Sequence, residues 1–353
     1  MCTTMLISSL DEFSGKTSII IALGSILREK GYKIGYFKPI GIGKPVKNRV
    51  VDEDVQHIIE VLKIKDPVDL VCPVVIDKSY LEFILRSNPN ELRVRIMNAY
   101  ESIKDEKDIV IIEGSSHYEF GKVLGLCDVS FSSMIDVKDL MIVKFSNDTV
   151  IDKLISAKTK FGEKLKYVIF NQIASYNKIS HIYSLMDTIF KKVGLNVVGV
   201  IPKDPILAEV FINEIVEILD GKYLVESKES IIIEQVIVGA MHPQSALKYF
   251  RKAKNYAVIT GGDRVDLIST ALESPNVKCL ILTDNLEPPK VVIERAEEIG
   301  VPIIVVQYDT MTTMEKINSA FGRVRIRGDI KIKRIKELVK NHIDLDELLE
   351  KFI

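Results

Sequence analysis

"TMLISSLDEFSGKT", residues 4–17, decides the fold. "TMLISS" is an apolar run of strand length, and Thr17 opens a helical pattern that continues through "TSIIIALGSILREK" to Lys30. Between them "LDEFS" and Gly15 make a wrap. A strand, a wrap and a helix start in that order form a phosphate-binding loop. Backbone N–H groups point inward and the positive end of the helix faces the anion. Gly15 lets the backbone approach a phosphate, the Lys16 ammonium reaches the outer phosphates, and the Thr17 hydroxyl suits Mg2+. The usual spacing places a glycine at position 10, and a longer loop places it at position 9. The chain has Leu10 and Ser9 there. Serine does not adopt positive φ as readily as glycine, so the loop entry is expected to take a different backbone path.

The 353 residues exceed one ordinary core and predict two or three domains. Apolar residues make up 47% and charged residues 27%, a globular balance. The formal net charge of −1 offers no global field for nucleic acid or an anionic membrane. No apolar run reaches the roughly 20 residues of a bilayer span. The start carries no basic leader, so the expectation is a cytoplasmic protein without a nucleic-acid or membrane partner. Cys2, Cys72, Cys127 and Cys279 lie far apart, which argues against a disulfide scaffold or a zinc ribbon.

Outward from the loop, short apolar runs alternate with helical patterns. Strands are predicted at 4–9, 33–39, 108–114, 140–145, 166–172 and 197–202. Helices are predicted at 16–30, 52–63, 90–104, 149–160 and 205–219. Such a pattern indicates a parallel sheet covered by helices on both faces. The polar stretch "LDGKYLVESKES" (219–230) breaks it. The alternation then resumes with strands at 231–240, 256–262, 277–284 and 302–309 and helices near 243–253, 264–274, 288–299 and 311–320. The tail reads as one or two amphipathic helices with Asp344 as an N-cap. The expected division is a first α/β domain over 1–222, a smaller α/β domain over 223–330 and a helical tail over 331–353.

In an open parallel sheet the crevice lies at the carboxyl ends of the strands. Lys38, Glu113, Asn171 and Pro202 all fall at that predicted edge with Lys16. Asp52, Glu53 and Asp54 open a helix. Asp52 and Asp54 either cap it or assist a metal. Asn171 either bonds a base or sits in a turn. In the second domain "TGGDR" (260–264) follows a strand and opens a helix. Its glycines and helix start suit an anion, while Arg264 either joins that anion or pairs with a neighbour.

The order GKT, KP, an acidic helix start, "IIEG", "NQ" and "IPKDP" resembles the dethiobiotin synthetase family. It is closer still to the synthetase-like N-terminal region of long phosphate acetyltransferases. The stretches "VGAMHPQSALKYF", "VITGGDRVDL", "CLILTD" and "GVPIIVVQYDTMTT" resemble the DRTGG domain that follows that region. The resemblance implies ATP and Mg2+ as cofactors, with Ser9, Asp11, Ser14, Gly15, Lys16, Thr17 and Ser18 in the nucleotide loop. It implies Thr17, Asp54 and Glu113 as metal ligands, Lys16 and Lys38 at the reacting phosphoryl, and Asn171 and Pro202 on the adenine side. Gly261, Gly262, Asp263, Arg264 and Thr283 match the DRTGG positions. After "IIEG" the synthetases continue with a small, glycine-rich stretch that holds a diamine. Here the stretch is "SSHYEF", with bulky His117, Tyr118 and Phe120. Asp284 and Asn285 replace the glycines after Thr283, and both tolerate left-handed backbone.

The functional expectation is therefore an ATP- and Mg2+-binding regulatory or assembly protein with at most slow hydrolysis. Its DRTGG domain is expected to pair subunits into a homo-oligomer or to bind a small effector. No acetyltransferase chemistry is expected. The alternative is an ATP-dependent ligase that phosphorylates a carboxylate or carbamate. A glutaminase variant needs a nucleophilic cysteine, and Cys279 lies mid-strand in "VKCLIL", where a structural thiol is expected.

Overall fold

The computed structural model describes every residue except 1, 47–48, 78, 228–230, 322–325, 327 and 353. Its contacts form two compact units, Met1–Asp204 with Arg325–Ile353, and Pro205–Val324. Strand labels below count only the strands of the two main sheets.

The first unit follows the predicted alternation. Its strands are β1 (Thr3–Ser9), β2 (Ile34–Phe37), β3 (Ile109–Glu113), β4 (Asp139–Lys144), β5 (Leu165–Ile173) and β6 (Asn196–Pro202). They line up as β6-β5-β4-β1-β3-β2. All pairings are parallel. Every residue of β3 is buried, as a central strand with both faces covered requires. On one face Met141 and Val143 of β4 and Val168 and Phe170 of β5 pack with Leu154, Ala157 and Phe161 of the helix Val150–Phe161. Helix α1 (Lys16–Glu29) buries Ile19, Ile20, Leu23, Ile26 and Leu27 and packs against α2 (Glu53–Leu62). The chain steps from β1 outward to β2, returns to β3 and then crosses β1 to β4. The switch point, and with it the crevice, lies at the carboxyl end of β1.

The tail belongs to this unit, not to a separate segment over 331–353. It forms helices Asp329–His342 and Leu345–Phe352, the second capped by Asp344 Oδ1, which accepts from the Glu347 amide at 2.9 Å. The Arg334 guanidinium forks onto Asp204 Oδ2 at 2.9 and 2.8 Å. Ile343 bridges Gly199 of β6, and the Phe352 ring lies 5.1 Å from that of Tyr167. These long-range contacts have no signature in local sequence.

The second unit has its own five-stranded sheet of β7 (Lys222–Val225), β8 (Gln235–Val238), β9 (Tyr256–Gly261), β10 (Val277–Thr283) and β11 (Ile303–Val305), ordered β7-β11-β10-β9-β8. Only β7 runs antiparallel to its neighbour. Period-2 alternation sorts its residues: Tyr256, Val258, Leu280 and Leu282 enter one core, Ala257, Ile259, Cys279 and Ile281 the other. Cys279 is wholly buried, and burial holds its thiol well above the usual range.

Three expectations change here. The domain boundary lies at 204/205 instead of 222/223. The helix Ile212–Leu219 buries Ile212, Ile215 and Leu219 in the second core, so it cannot close the first. The helix expected over 205–219 is interrupted by the short strand Val210–Phe211, which pairs with Ile232–Ile233. The polar break at 219–230 contains β7, and residues 228–230 of that stretch lie outside the described residues.

Candidate functional site

The loop after β1 is built around one glycine. Gly15 caps α1 in the left-handed region at φ 86°. A methyl group there would lie 2.3 Å from Asn171 Nδ2, so both backbone and space require glycine. The other left-handed residue of the wrap is Phe13, at φ 55°. Ser9 stays in β1 and is buried. No left-handed hinge stands at positions 9 and 10; the entry takes a different backbone path, as expected, and turns at Phe13. The wrap is then tied down at several points. Ser14 Oγ donates to the Asp11 carbonyl at 2.6 Å. From the end of β5, Asn171 Nδ2 donates to the Ser14 carbonyl at 2.9 Å and Gln172 Nε2 to the Phe13 carbonyl at 3.3 Å. Asn171 is buried and bonds the loop itself. Asp11 points outward to Lys153 at 2.9 Å. Ser18 is half-buried on the first turn of α1, and Pro202, half-buried, pairs in register with Ile173 of β5.

Lys16 turns inward and is 8% exposed. Its ammonium donates to Ser9 Oγ at 3.1 Å and to the Ser115 carbonyl. Burial lowers its pKa, opposed by the carboxylates of Glu113 and Asp128. Beside it Thr17 Oγ1 donates to Glu113 Oε1 at 2.7 Å. The Tyr36 hydroxyl, at the end of β2, donates to Glu113 Oε2. Parallel pairing of β1, β3 and β2 puts these groups on one edge.

Lys38 follows β2. Its Nζ lies 2.9 Å from Asp52 Oδ2 and 4.0 Å from Glu113 Oε2, and it is 8% exposed. Burial alone would lower its pKa, but Glu113, Asp52 and Asp54 outweigh it and hold the ammonium charged. Asp52 does double duty. Its Oδ1 caps α2 by accepting from the Asp54 and Val55 amides at 2.9 and 3.1 Å, and its Oδ2 also accepts from Ile42 N at 3.0 Å. Asp54, in the first turn of α2, is half-buried, and its charge helps hold the Lys38 ammonium protonated and opposes the lowering of the Lys16 pKa by burial.

A divalent cation fits this edge in one way. Among the described residues no three His, Cys, Asp or Glu side chains converge to hold a metal by themselves. Thr17 and Glu113 bring two hard oxygens together with Asp54 nearby, which matches an ion that keeps waters and shares phosphate oxygens, as Mg2+ does.

Sequence reading did not find Asp128, which opens α3 (Asp128–Met134). It is buried, its Oδ1 accepts from Ser115 N at 3.0 Å, and burial pushes its carboxyl up to about 7. Nor did it find Tyr36, or Asp52 as the partner of Lys38. The only local trace of Asp128 is Gly114, where a side chain would collide with it. The bulky residues after Glu113 form a wall. The Phe120 and Tyr80 rings stack at 4.7 Å, and His117 stands edge-on to Phe120 at 6.2 Å.

In the second unit the expected residues do meet at one sheet edge. Gly261 is in register with Thr283. Gly262 packs against backbone: a methyl there would lie 1.8 Å from the Leu286 carbonyl oxygen. Asp284 and Asn285 take left-handed φ of 61° and 54°, so the turn survives without its glycines. Asp263 is exposed. Arg264 bonds Asp266 at 3.2 Å and the Met241 carbonyl at 3.2 Å. Thr283 Oγ1 is fully buried, 3.4 Å from Thr310 Oγ1.

Comparison with known proteins agrees with these two units. Residues 3–210 match the family model of an AAA domain and residues 214–320 that of a DRTGG domain. The chain is 23% identical to a phosphate acetyltransferase of Nitratidesulfovibrio vulgaris, over 100% of this chain and 52% of that protein. It is 25% identical to an ATP-dependent dethiobiotin synthetase of Methanocaldococcus jannaschii, over 55% of this chain and 92% of that protein. The chain thus spans about half the length of the acetyltransferase it matches. Among solved structures, cobyrinic acid a,c-diamide synthase of Mycobacterium smegmatis, with bound ATP analog and magnesium, aligns at 13% identity and TM-score 0.37, over 58% of this chain and 88% of that one. The CBS and DRTGG regulatory region of Clostridium perfringens pyrophosphatase, complexed with diadenosine tetraphosphate, aligns at 16% identity and TM-score 0.31, over 50% and 86%. No helix among the described residues is long and apolar enough to cross a membrane.

Proposed function

Because the chain belongs to the family of that AAA domain, we propose that its first unit binds ATP with Mg2+ and that its DRTGG unit makes the protein a nucleotide-responsive regulator or assembly module. The observation that carries this reading is the Thr17–Glu113 contact beside an inward Lys16, on a loop whose turn is held by Gly15. Lys16 and the amides at the start of α1 would take the phosphates. Thr17, Glu113 and Asp54 would hold Mg2+, which when bound supplies positive charge at the phosphate oxygens. With Asn171 and Gln172 bracing the wrap, the loop needs no glycine at its entry.

Lys38 separates this reading from a ligase. An ammonium committed to Asp52 at 2.9 Å is poorly placed to neutralise a substrate carboxylate. Phe120, stacked on Tyr80, lies in the segment that is small and glycine-rich in the synthetases, which argues against a diamine substrate. Turnover is accordingly slow or absent, and the DRTGG unit pairs subunits or takes a small effector.

Isothermal titration with MgATP tests the reading. Wild type binds, and Lys16→Ala binds at least about tenfold more weakly, the scale of one charge-assisted hydrogen bond. Equal, negligible heats for both proteins would end the proposal. Rapid ADP formation with diamines and bicarbonate, or with other carboxylates, would move the assignment to the ligase. Native mass measurement with and without ATP reads the oligomer.

A further inference from the structure

Asp128 is buried beside the turn after β3, and apart from its charge near Lys16 it has no part in the site as described so far. Its Oδ1 accepts from Ser115 N at 3.0 Å, and its Oδ2 has no partner. The carboxyl lies flat against Gly114: a methyl group there would sit 2.1 Å from Oδ2 and 2.7 Å from the carboxyl carbon. Residue 115 is therefore clamped from behind.

Its front is also engaged. The Ser115 carbonyl accepts from Lys16 Nζ. Lys16 also donates to Ser9 Oγ at 3.1 Å, and Ser9 Oγ donates to the Ser116 carbonyl at 3.1 Å. Lys16, Ser9, Ser116 and Ser115 close a ring, and Asp128 holds that ring from outside. The turn is anchored to β1 as well, since Gly114 N donates to Ile7 O and Tyr118 N to Ser9 O, both at 2.9 Å. Those two bonds fix the ends of the segment, and Asp128 fixes its middle.

We propose that Asp128 is the positioning residue of the phosphate-loop lysine: by pinning Ser115 it presents the carbonyl that parks the Lys16 ammonium until an anion draws it away. A buried ammonium needs partners, because an unpaired one is expensive. Parking meets that need while no phosphate is present, and it leaves Lys16 already desolvated for the exchange. The proposal rests on the nucleotide reading only for what Lys16 is parked for. The parked state belongs to the chain alone.

Lysine acylation of the nucleotide-free protein by an N-hydroxysuccinimide acetate reagent, read by peptide mass spectrometry, tests it. Lys16 reacts slowly in wild type. Asp128→Ala speeds Lys16 acylation about tenfold, the scale of losing one buried hydrogen bond, while exposed Lys153 reacts as before. Asp128→Asn keeps an acceptor for Ser115 N and restores the slow rate. Gly114→Ala pushes the carboxyl off and gives the fast rate with Asp128 still present, so it decides the matter if Asp128→Ala does not fold. A wild-type rate in Asp128→Ala or Gly114→Ala overturns the proposal, as does a fast rate in Asp128→Asn. Titration of wild type with MgATP judges the nucleotide site separately. Failure there removes the nucleotide reading and leaves the acylation rates to judge Asp128.

Discussion

The two units present the same construction, a glycine turn at the carboxyl edge of a parallel sheet, and put it to different use. At Gly15 the place of the absent side chain is taken by the end of the Asn171 side chain, and a buried cation sits directly behind. At Gly262 the absent side chain is filled by the chain's own Leu286 carbonyl. Lys16 is buried and bonded to groups that a phosphate oxygen could replace. Arg264 is about a third exposed and bonded to Asp266 two residues away and to a backbone carbonyl. A glycine in a turn therefore says that something comes close, and only the neighbouring charge says whether that is a ligand or more protein. By that criterion the first edge supports the proposed nucleotide site. The second is a closed turn, and an effector would have to bind around it.

Alanine at each glycine should separate the two uses. Gly262→Ala carries the largest expected cost, because a backbone carbonyl 1.8 Å away cannot rotate aside. Overpacking of this kind costs about 3 kcal/mol. The loss should appear as faster hydrogen exchange in β9 and β10, with MgATP affinity unchanged. Gly15→Ala meets only the end of a side chain, at 2.3 Å, but must also hold φ near 86°. That backbone costs roughly 1–2 kcal/mol, and here MgATP binding should fall with it. If Gly262→Ala weakens MgATP and Gly15→Ala does not, the two edges have been assigned the wrong way round.

How much of this was legible follows from what sequence encodes locally. The strands were, because β3 and its neighbours are near-continuous apolar runs buried on both faces. Gly15, Lys16 and Thr17 were, because strand, wrap and helix start are contiguous. Glu113 could be brought to Thr17 because parallel strands end on one edge. The pairing of Lys38 with Asp52 could not, since it joins two segments distant in local pattern whose meeting depends on the close approach of Asp52 to Gly41. Asn171 was placed at the right edge, but no pattern in "NQ" says that it will brace the Ser14 carbonyl. β7 was hidden because it is an edge strand of mixed exposure in a polar stretch. Asp128 was hidden because a lone carboxylate in "CDVSF" looks like any helix opener until the fold buries it.

Asp128 also gives the first unit a pH dependence that the second lacks a counterpart for among the described carboxylates. Its pKa rises on folding from near 3.8 to about 7, mainly through burial. The folded state then binds the proton more tightly than the unfolded one, so stability falls as pH rises between those values. Below pH 4 both states are protonated and the penalty is absent. Asp128→Asn should therefore melt higher than wild type at pH 8, by an amount on the order of 1 kcal/mol after relaxation offsets part of the burial cost. The gain should shrink as pH falls toward 4. Melting curves at pH 4, 6 and 8 check it, and a gain that grows toward acid would mean the carboxyl is stabilised by its charge.

Arg264 supplies the smallest and most discriminating effect. Its guanidinium meets Asp266 at 3.2 Å, in a pair whose side chains are 36% and 54% exposed. Solvent screens such a pair, and pairs of this kind contribute about 0–1 kcal/mol. The contact with the Met241 carbonyl adds one partly buried hydrogen bond. If Arg264 only staples its own turn, Arg264→Ala lowers the melting temperature slightly and leaves the oligomer and nucleotide binding as they were. If it reads an anionic effector, the same substitution keeps the melting temperature and abolishes the stabilisation that adenine nucleotides confer on the second unit. Since the side chain's nearest partners are all internal, the first outcome is expected. Thermal shifts with a panel of nucleotides on Arg264→Ala and Lys16→Ala, run together, assign each shift to its edge.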